Sequence, residues 1–364
     1  MAGGAAQIER VRVIGLASRW LDASSINDAD ASVRLGALAT GFVRPAAAAP
    51  LRDVIAARLA DRGESPEIRR QAALTLGMLR PLPVAALVAG LARWQGPTVR
   101  AAAATALHST EGTAADAGET LARCLLAGDA TVRLQSVLAL RGIGAAAVGH
   151  VVKVVEEAEK FDITRMSGLD ALGFIGVDGH GSLDLATRLS EDAPGTVRVC
   201  ARFAVASIEG AAIEPDAKGR DKRLAKAAEP LAAMLEHEDE AVRLLAMERL
   251  GWLKDGAPSA GGALLRLLKE GSPAEREAAA LGLARTRTPT EQAVEPLRGA
   301  LQDEEPAVRK AAAIALTAYG TDAKPALGDL LRLGKDATQP EGVRRAAGEC
   351  AKSIVKAERG PYWA

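Results

Sequence analysis

A short pattern, in which a helix-start signal is followed by an apolar residue and an arginine, returns along the whole chain at nearly constant spacing. It is met as Asp30-Ala-Ser-Val-Arg34 and again as Asp129-Ala-Thr-Val-Arg133. Its arginines fall at Arg34, Arg69, Arg100, Arg133, Arg165, Arg198, Arg243, Arg276, Arg309 and Arg344, at intervals of 31–35 residues apart from one of 45 between Arg198 and Arg243. A tandem period in this range marks stacked supersecondary units, each of which buries its apolar face only against its neighbours. The period therefore decides how the 364 residues are read. Length alone would also allow two ordinary globular domains.

What surrounds each arginine identifies the unit as helical. Asp30, Ser65, Asp129, Asp162, Asp239 and Ser272 can cap the free N–H groups of a first turn. Pro66, Pro97, Pro194, Pro273, Pro306 and Pro340 stand where a first-turn residue needs no N–H donor. An Ala-rich helix, here helix B, follows each arginine, as in Ile68 to Gly77 or Val242 to Gly251, and its final glycine suits a C-cap. A second helix, A, precedes it; the clearest cases are Leu51 to Arg62, Pro83 to Trp94, Gly118 to Leu126, Ala147 to Lys160, Ala228 to His237 and Val294 to Leu301. Composition agrees, because hydrophobic residues reach 48% with only 3% aromatic, a balance that favours helices over strands.

The string Asp-x-x-Val-Arg-x-x-Ala-x-x-Ala-Leu-Gly, nearly intact around Arg34, Arg69, Arg133, Arg243 and Arg309, resembles the HEAT repeat, in particular the bacterial subclass similar to phycobilisome-lyase repeats. The resemblance runs from about residue 5 to 356. It implies an all-α, right-handed α-solenoid of about ten two-helix repeats forming a single domain over residues 1–364. It also implies an Asp–Arg ladder along the stack, formed by Asp30 with Arg34 and their equivalents. Thr164 and Glu275 replace the apolar residue before the arginine, so those two units are expected to pack less well.

With the residue before each arginine as the origin, 100° per residue places the second and sixth following positions on the far side of helix B, where an isolated amphipathic helix is polar. Here they hold Leu35, Leu74, Leu134, Leu138, Met166, Val199, Phe203, Leu244, Leu281 and Ile314, interspersed with Arg70, Asp170, Glu248, Glu277, Lys310, Arg345 and Glu349. In HEAT-like solenoids helix B lines the concave face. The resemblance thus implies an apolar groove centred on repeats four to seven, suited to a helix or peptide segment of another protein. The competing readings are packing between repeats and self-association.

The long interval inserts residues 213–226, expected as a loop or helical extension whose Lys218, Arg220, Lys222 and Arg223 are candidate accessory contacts. Tyr362 and Trp363, in the tail 357–364, lie beyond the last helix and serve as a cap or a docking motif.

No catalytic or metal-binding constellation appears. The four histidines lie in different repeats, and His237-Glu238 ends helix A rather than opening helix B as in the di-iron HEAT-like hydroxylases. Gly176 to Ser182 reads as an inter-helix turn, and Trp20, Trp94 and Trp252 as edge-packing residues. Lys plus Arg equals Asp plus Glu at 46 each, which argues against a nucleic-acid reader. The expectation is a non-enzymatic scaffold without cofactor, with a tetrapyrrole lyase or chaperone subunit as the alternative that the resemblance brings. Three widely separated cysteines suit a reducing cytoplasm. Early arginines interrupt any secretory segment, and no stretch is expected to span a bilayer.

Overall fold

The start signals act as the sequence predicts. Asp30 accepts the N–H of Ser32, Asp129 that of Val132, and Ser65 that of Ile68. The computed structural model describes residues 21–108, 115–158, 162–211, 217–253 and 257–359, and all regular elements among them are helical. Helix A of the first repeat and Trp20 lie outside the described residues.

The chain divides into two compact units, 1–182 and 183–364, at a repeat boundary that the arginine period crosses without a break. In the first unit, the helices of the repeats after the opening turn, apart from the single turn Pro45–Ala48, are α1 (Ala31–Val43), α2 (Arg52–Ala60), α3 (Pro66–Gly77), α4 (Val84–Gly90), α5 (Gly96–Leu107), α6 (Gly118–Cys124), α7 (Ala130–Ile143), α8 (Val148–Glu157) and α9 (Asp162–Ile175). In the second they are α10 (Leu183–Asp192), α11 (Gly195–Ala211), α12 (Ala217–Ala232), α13 (Glu240–Leu253), α14 (Gly261–Glu270), α15 (Pro273–Arg285), α16 (Thr290–Ala300), α17 (Pro306–Thr317), α18 (Leu327–Lys335) and α19 (Glu341–Arg359). Odd-numbered helices are the B helices. Each packs on the A helix before it and on the next B helix of its unit, so each unit is an α-solenoid in which a B layer covers an A layer. Between the layers lies a core of small and branched side chains, such as Leu76, Ala103, Leu107 and Leu140 in the first unit and Leu250, Leu283 and Leu316 in the second.

In four repeats the arginine is a staple. Its Nη1 donates to two successive carbonyls at the end of the preceding connection: Asp28 and Ala29 for Arg34, Ala127 and Gly128 for Arg133, His237 and Glu238 for Arg243, Asp303 and Glu304 for Arg309, all at 2.6–3.0 Å. The acidic partner is not the Asp of the same repeat, as the family resemblance implied, because that carboxylate is occupied with capping. Arg34 instead reaches Glu64, Arg243 reaches Glu275 and Arg276 reaches Asp303, each a carboxylate of the following repeat, at 2.5–2.8 Å.

Glu275 therefore does not weaken its unit. It is 3% exposed, closes a capping box with Ser272 and receives Arg243. Burial pushes its carboxyl upward, but the hydrogen bond from Arg243, the Ser272 N–H and the Arg243 charge outweigh that and hold it below the ordinary glutamate range. Thr164 is likewise buried, with its hydroxyl 3.5 Å from the Leu125 carbonyl.

Two expectations are corrected. Gly77 is not a helix-ending cap, since the C-cap is Met78; a Cβ on Gly77 would stand 2.6 Å from Cβ of Ala106, so the glycine permits the close approach of α3 and α5. The stretch 130–157 is apolar and long enough, at 28 residues, to cross a membrane by composition, contrary to expectation. It does not form one helix, because Gly144 at φ 69° breaks it into α7 and α8. Of the two readings of the insert, the helical extension holds: from Ala217 onward it is helical, extends helix A of the seventh repeat as α12, and lies against α11, where Leu224 runs alongside Gly210.

Gly77→Ala, which would stabilise an isolated helix by about 0.5–1 kcal/mol, is expected here to lower stability by about 1–2 kcal/mol in urea denaturation through overpacking against Ala106. Glu275→Gln is expected to cost about 1–2 kcal/mol at pH 7 by losing a charge-assisted bond. The sign of the pH dependence follows from the depressed carboxyl: its contribution is complete above the unfolded value of about 4.3 and disappears as pH falls through the lower folded value. Urea curves of wild type and variant should therefore converge as pH falls through that depressed folded value.

Candidate functional site

With the A layer covering one side of each B layer, the opposite side of the B helices is the surface left free. In the first unit the B helices run side by side in the same direction, as like-placed residues meet: the Thr75 hydroxyl donates to the Leu38 carbonyl at 2.9 Å, and that of Thr105 to Gln135 Oε1 at 2.9 Å. Successive repeats consequently present equivalent positions as a row across the helices.

Along that row Leu35 on α1 and Leu134 on α7 are exposed, and Leu74 on α3, Leu138 on α7 and Met166 on α9 are half-buried. Leu134 is 52% exposed. Phe42 and Met78, at the ends of the first two B helices, add exposed apolar surface that the two-position reading missed; extending the same angular count one turn further would have found them. The basic residues of this face are Arg70 near the start of α3 and Arg141 near the end of α7, the latter with its guanidinium 5.9 Å from the Phe174 ring centre. His108, at the end of α5, donates from Nδ1 to the Leu138 carbonyl at 2.8 Å and so ties the third repeat to the fourth. The acidic residue on these positions, Asp170, is buried.

The second unit differs. Val199 and Phe203 on α11, expected at the centre of the groove, are buried at 0% and 1% exposure. Phe203 meets Trp252 of α13 edge-on with ring centres 5.4 Å apart, and Arg249 stacks over Trp252 at 3.8 Å while its Nη2 lies 3.9 Å from Cys200 Sγ. The packing reading is thus the correct one for the sixth repeat, and an apolar groove centred on repeats four to seven is not what the structure contains. Leu244 and Leu281 are half-buried and Ile314 is exposed on α13, α15 and α17, but exposed Glu248, Glu277 and Lys310 share their positions.

Of the accessory candidates, Arg223 is exposed on α12; Lys218, Arg220 and Lys222 belong to the same helix by backbone, and their side chains lie outside the described residues. Tyr362 and Trp363 also lie outside the described residues. Trp94 packs at the edge of its repeat between Arg62 and Arg69, at 4.9 and 5.1 Å.

Residues Gly176–Ser182 form a single 3-10 turn between α9 and α10, with the Ser182 hydroxyl donating to the Gly179 carbonyl. An open cleft of about 300 Å³ between the seventh and eighth repeats is lined by Glu236, His237, Arg243, Arg266 and Glu275, among others; the pairs Arg243–Glu275 and Arg266–Glu236 close on themselves within it. Among the described residues no group of three or more His, Cys, Asp or Glu side chains is placed to hold a metal ion.

Residues 262–352, the last three repeats, match the sequence profile of the family described as HEAT repeats. No curated protein sequence matches the chain. Among solved structures the chain is similar to the karyopherin Kap121p, at 13% identity with a TM-score of 0.47, covering 94% of this chain and 42% of that one. Kap121p bound to the SUMO protease Ulp1p gives 13% identity, a TM-score of 0.46 and coverages of 91% and 40%. Kap121p bound to RanGTP gives 13%, 0.42, 91% and 40%. The chain spans about two fifths of the length of these proteins, and a likeness at this level says nothing about what it binds.

The burial contrast separates the candidate residues experimentally. Phe203→Glu is expected to destabilise the protein by about 3–5 kcal/mol, combining loss of a buried ring with a buried charge. Leu134→Glu should stay within about 0.5 kcal/mol of wild type. Thermal melts followed by circular dichroism distinguish the two.

Proposed function

We propose that this chain is a non-enzymatic scaffold that holds another protein, as a helical segment, on the free face of the B layer in its first unit. The observation that carries the reading is the row Leu35, Leu74, Leu134, Leu138 and Met166, with Phe42 and Met78 beside it: large apolar side chains left exposed or half-exposed on four of the five B helices of the unit. A soluble surface that keeps such a row across several repeats is the kind that recognises partners. A rigid layer also loses little freedom when a guest docks, which favours affinity.

The match of residues 262–352 to HEAT repeats supports the scaffold part of this reading, because these repeats are interaction architecture in which the site, not the fold, carries the function. The even charge balance and the dispersed histidines support a binding rather than a catalytic role. The buried thiols of Cys124, Cys200 and Cys350, none in a disulfide, support work in a reducing cytoplasm.

The test is capture from host lysate followed by purification of the captured protein and measurement of binary binding. Leu35→Glu/Leu134→Glu is expected to weaken that binding at least tenfold, since charges placed in an apolar contact are strongly unfavourable. Ile314→Glu, on the second unit, should leave it unchanged. Equal loss with Ile314→Glu, or none with the double variant, would place the contact elsewhere.

A further inference from the structure

The free face of the first unit carries charge of one sign. From the second to the tenth position after the origin, α1, α3, α5, α7 and α9 contribute Arg70 and Arg141, while Asp170 is buried. The same positions in the second unit are mixed, with Glu248, Glu277, Lys310, Arg345 and Glu349, residues of both signs, all exposed. Arg70 and Arg141 stand at positions two and nine of their helices. They therefore lie about 10 Å apart measured along the helix direction, one on each rim of the apolar row.

The spacing of the row also selects the shape of its guest. Packed helices lie about 8–10 Å apart, and a helix laid across them advances about 10.5 Å in seven residues, so one face of the guest meets each repeat in turn. An extended peptide advances about 10 Å in three residues, an odd number, so its side chains would point toward and away from alternate repeats. Helical periodicity fits the row and strand periodicity does not.

Resting on the proposed docking face, we infer that the guest is an amphipathic helix whose apolar seam, repeating every seven residues, is flanked on both sides by carboxylates. The seam seats against Leu74, Leu134, Leu138 and Met166. Its acidic flanks meet Arg70 on one rim and Arg141 on the other. Arg141 is already ordered by its contact with Phe174, so less side-chain freedom is lost in that pairing.

The probe is a labelled synthetic helix of about 24 residues, long enough to cross three intervals of the row, with leucine along one seam and glutamate on both flanks. Its twin has lysine in place of glutamate. Like-charged flanks keep each peptide from pairing with itself. Fluorescence anisotropy with the full chain should show the glutamate peptide binding roughly tenfold more tightly than the lysine peptide. Arg70→Glu/Arg141→Glu, both exposed substitutions, should invert that preference while leaving the melting temperature unchanged. Leu134→Glu should weaken both peptides.

Equal binding of the two peptides, both lost with Leu134→Glu, would overturn the acidic flanks while leaving the apolar docking face standing. Tighter binding of the lysine peptide, or no binding of either, would overturn the inference; the captured-partner experiment then judges the docking face by itself. Displacement of the glutamate peptide by oligo-thymidylate would also overturn it, by making the basic rim a reader of phosphate.

Discussion

Four of the repeats are tied by a guanidinium that joins the end of one connection to the start of helix B. An α-helix leaves its last carbonyls without partners, and the connection between A and B adds more. One arginine in the first turn of helix B, as at Arg34, Arg133, Arg243 and Arg309, satisfies two of these carbonyls with a single nitrogen. Lysine has no planar fork to hold this position while also reaching onward. The connection between A and B can then be short and fixed. Regular stacking is the consequence, because a layer of helices packs only if successive pairs repeat their geometry.

The remaining nitrogens of the fork convert the staple into a link between repeats. Arg34 to Glu64, Arg243 to Glu275 and Arg276 to Asp303 all run forward to the next unit. These carboxylates come from different places in the repeat: Glu275 stands immediately before its arginine, whereas Glu64 and Asp303 stand five and six residues before theirs. What is preserved is the location of negative charge near the staple, not its sequence position. Glu275 shows how far this goes, since a carboxylate occupying an apolar core position is held charged by one guanidinium and its own helix N-terminus.

This explains what was legible in the sequence. The arginine period, the capping residues and the A/B alternation were readable because they are local: each follows from hydrogen bonds within about ten residues. The acidic partner of Arg34 was not, because Glu64 lies thirty residues ahead and at a position the repeat does not fix. The role of Gly77 was misread for the same reason, since Ala106 on the neighbouring helix demands it rather than the end of its own. Angular position told which side chains leave the A–B interface but not whether something else covers them. Leu134 and Phe203 occupy equivalent faces, yet one is exposed and the other meets Trp252 on a helix that follows the inserted turns of α12. The insert was visible as a long interval. Its effect on packing was not, because that depends on helix α12 lying against α11.

The two units thus build two different outward faces on one repeat. In the first, the outward positions of the B helices are apolar with a basic rim, and the aromatic ring at the end of the row, Phe174, steadies an arginine instead of filling a core. In the second, the outward apolar residues are either turned inward around Trp252 or separated by charges of both signs. Stacking does not require this difference, since the staples, caps and core positions are alike in both. The difference therefore lies in the surface and not in the shared repeat: the first unit leaves Leu35, Phe42, Met78 and Leu134 exposed on its B helices, while the second sets Glu248, Glu277 and Lys310 among its outward apolar residues.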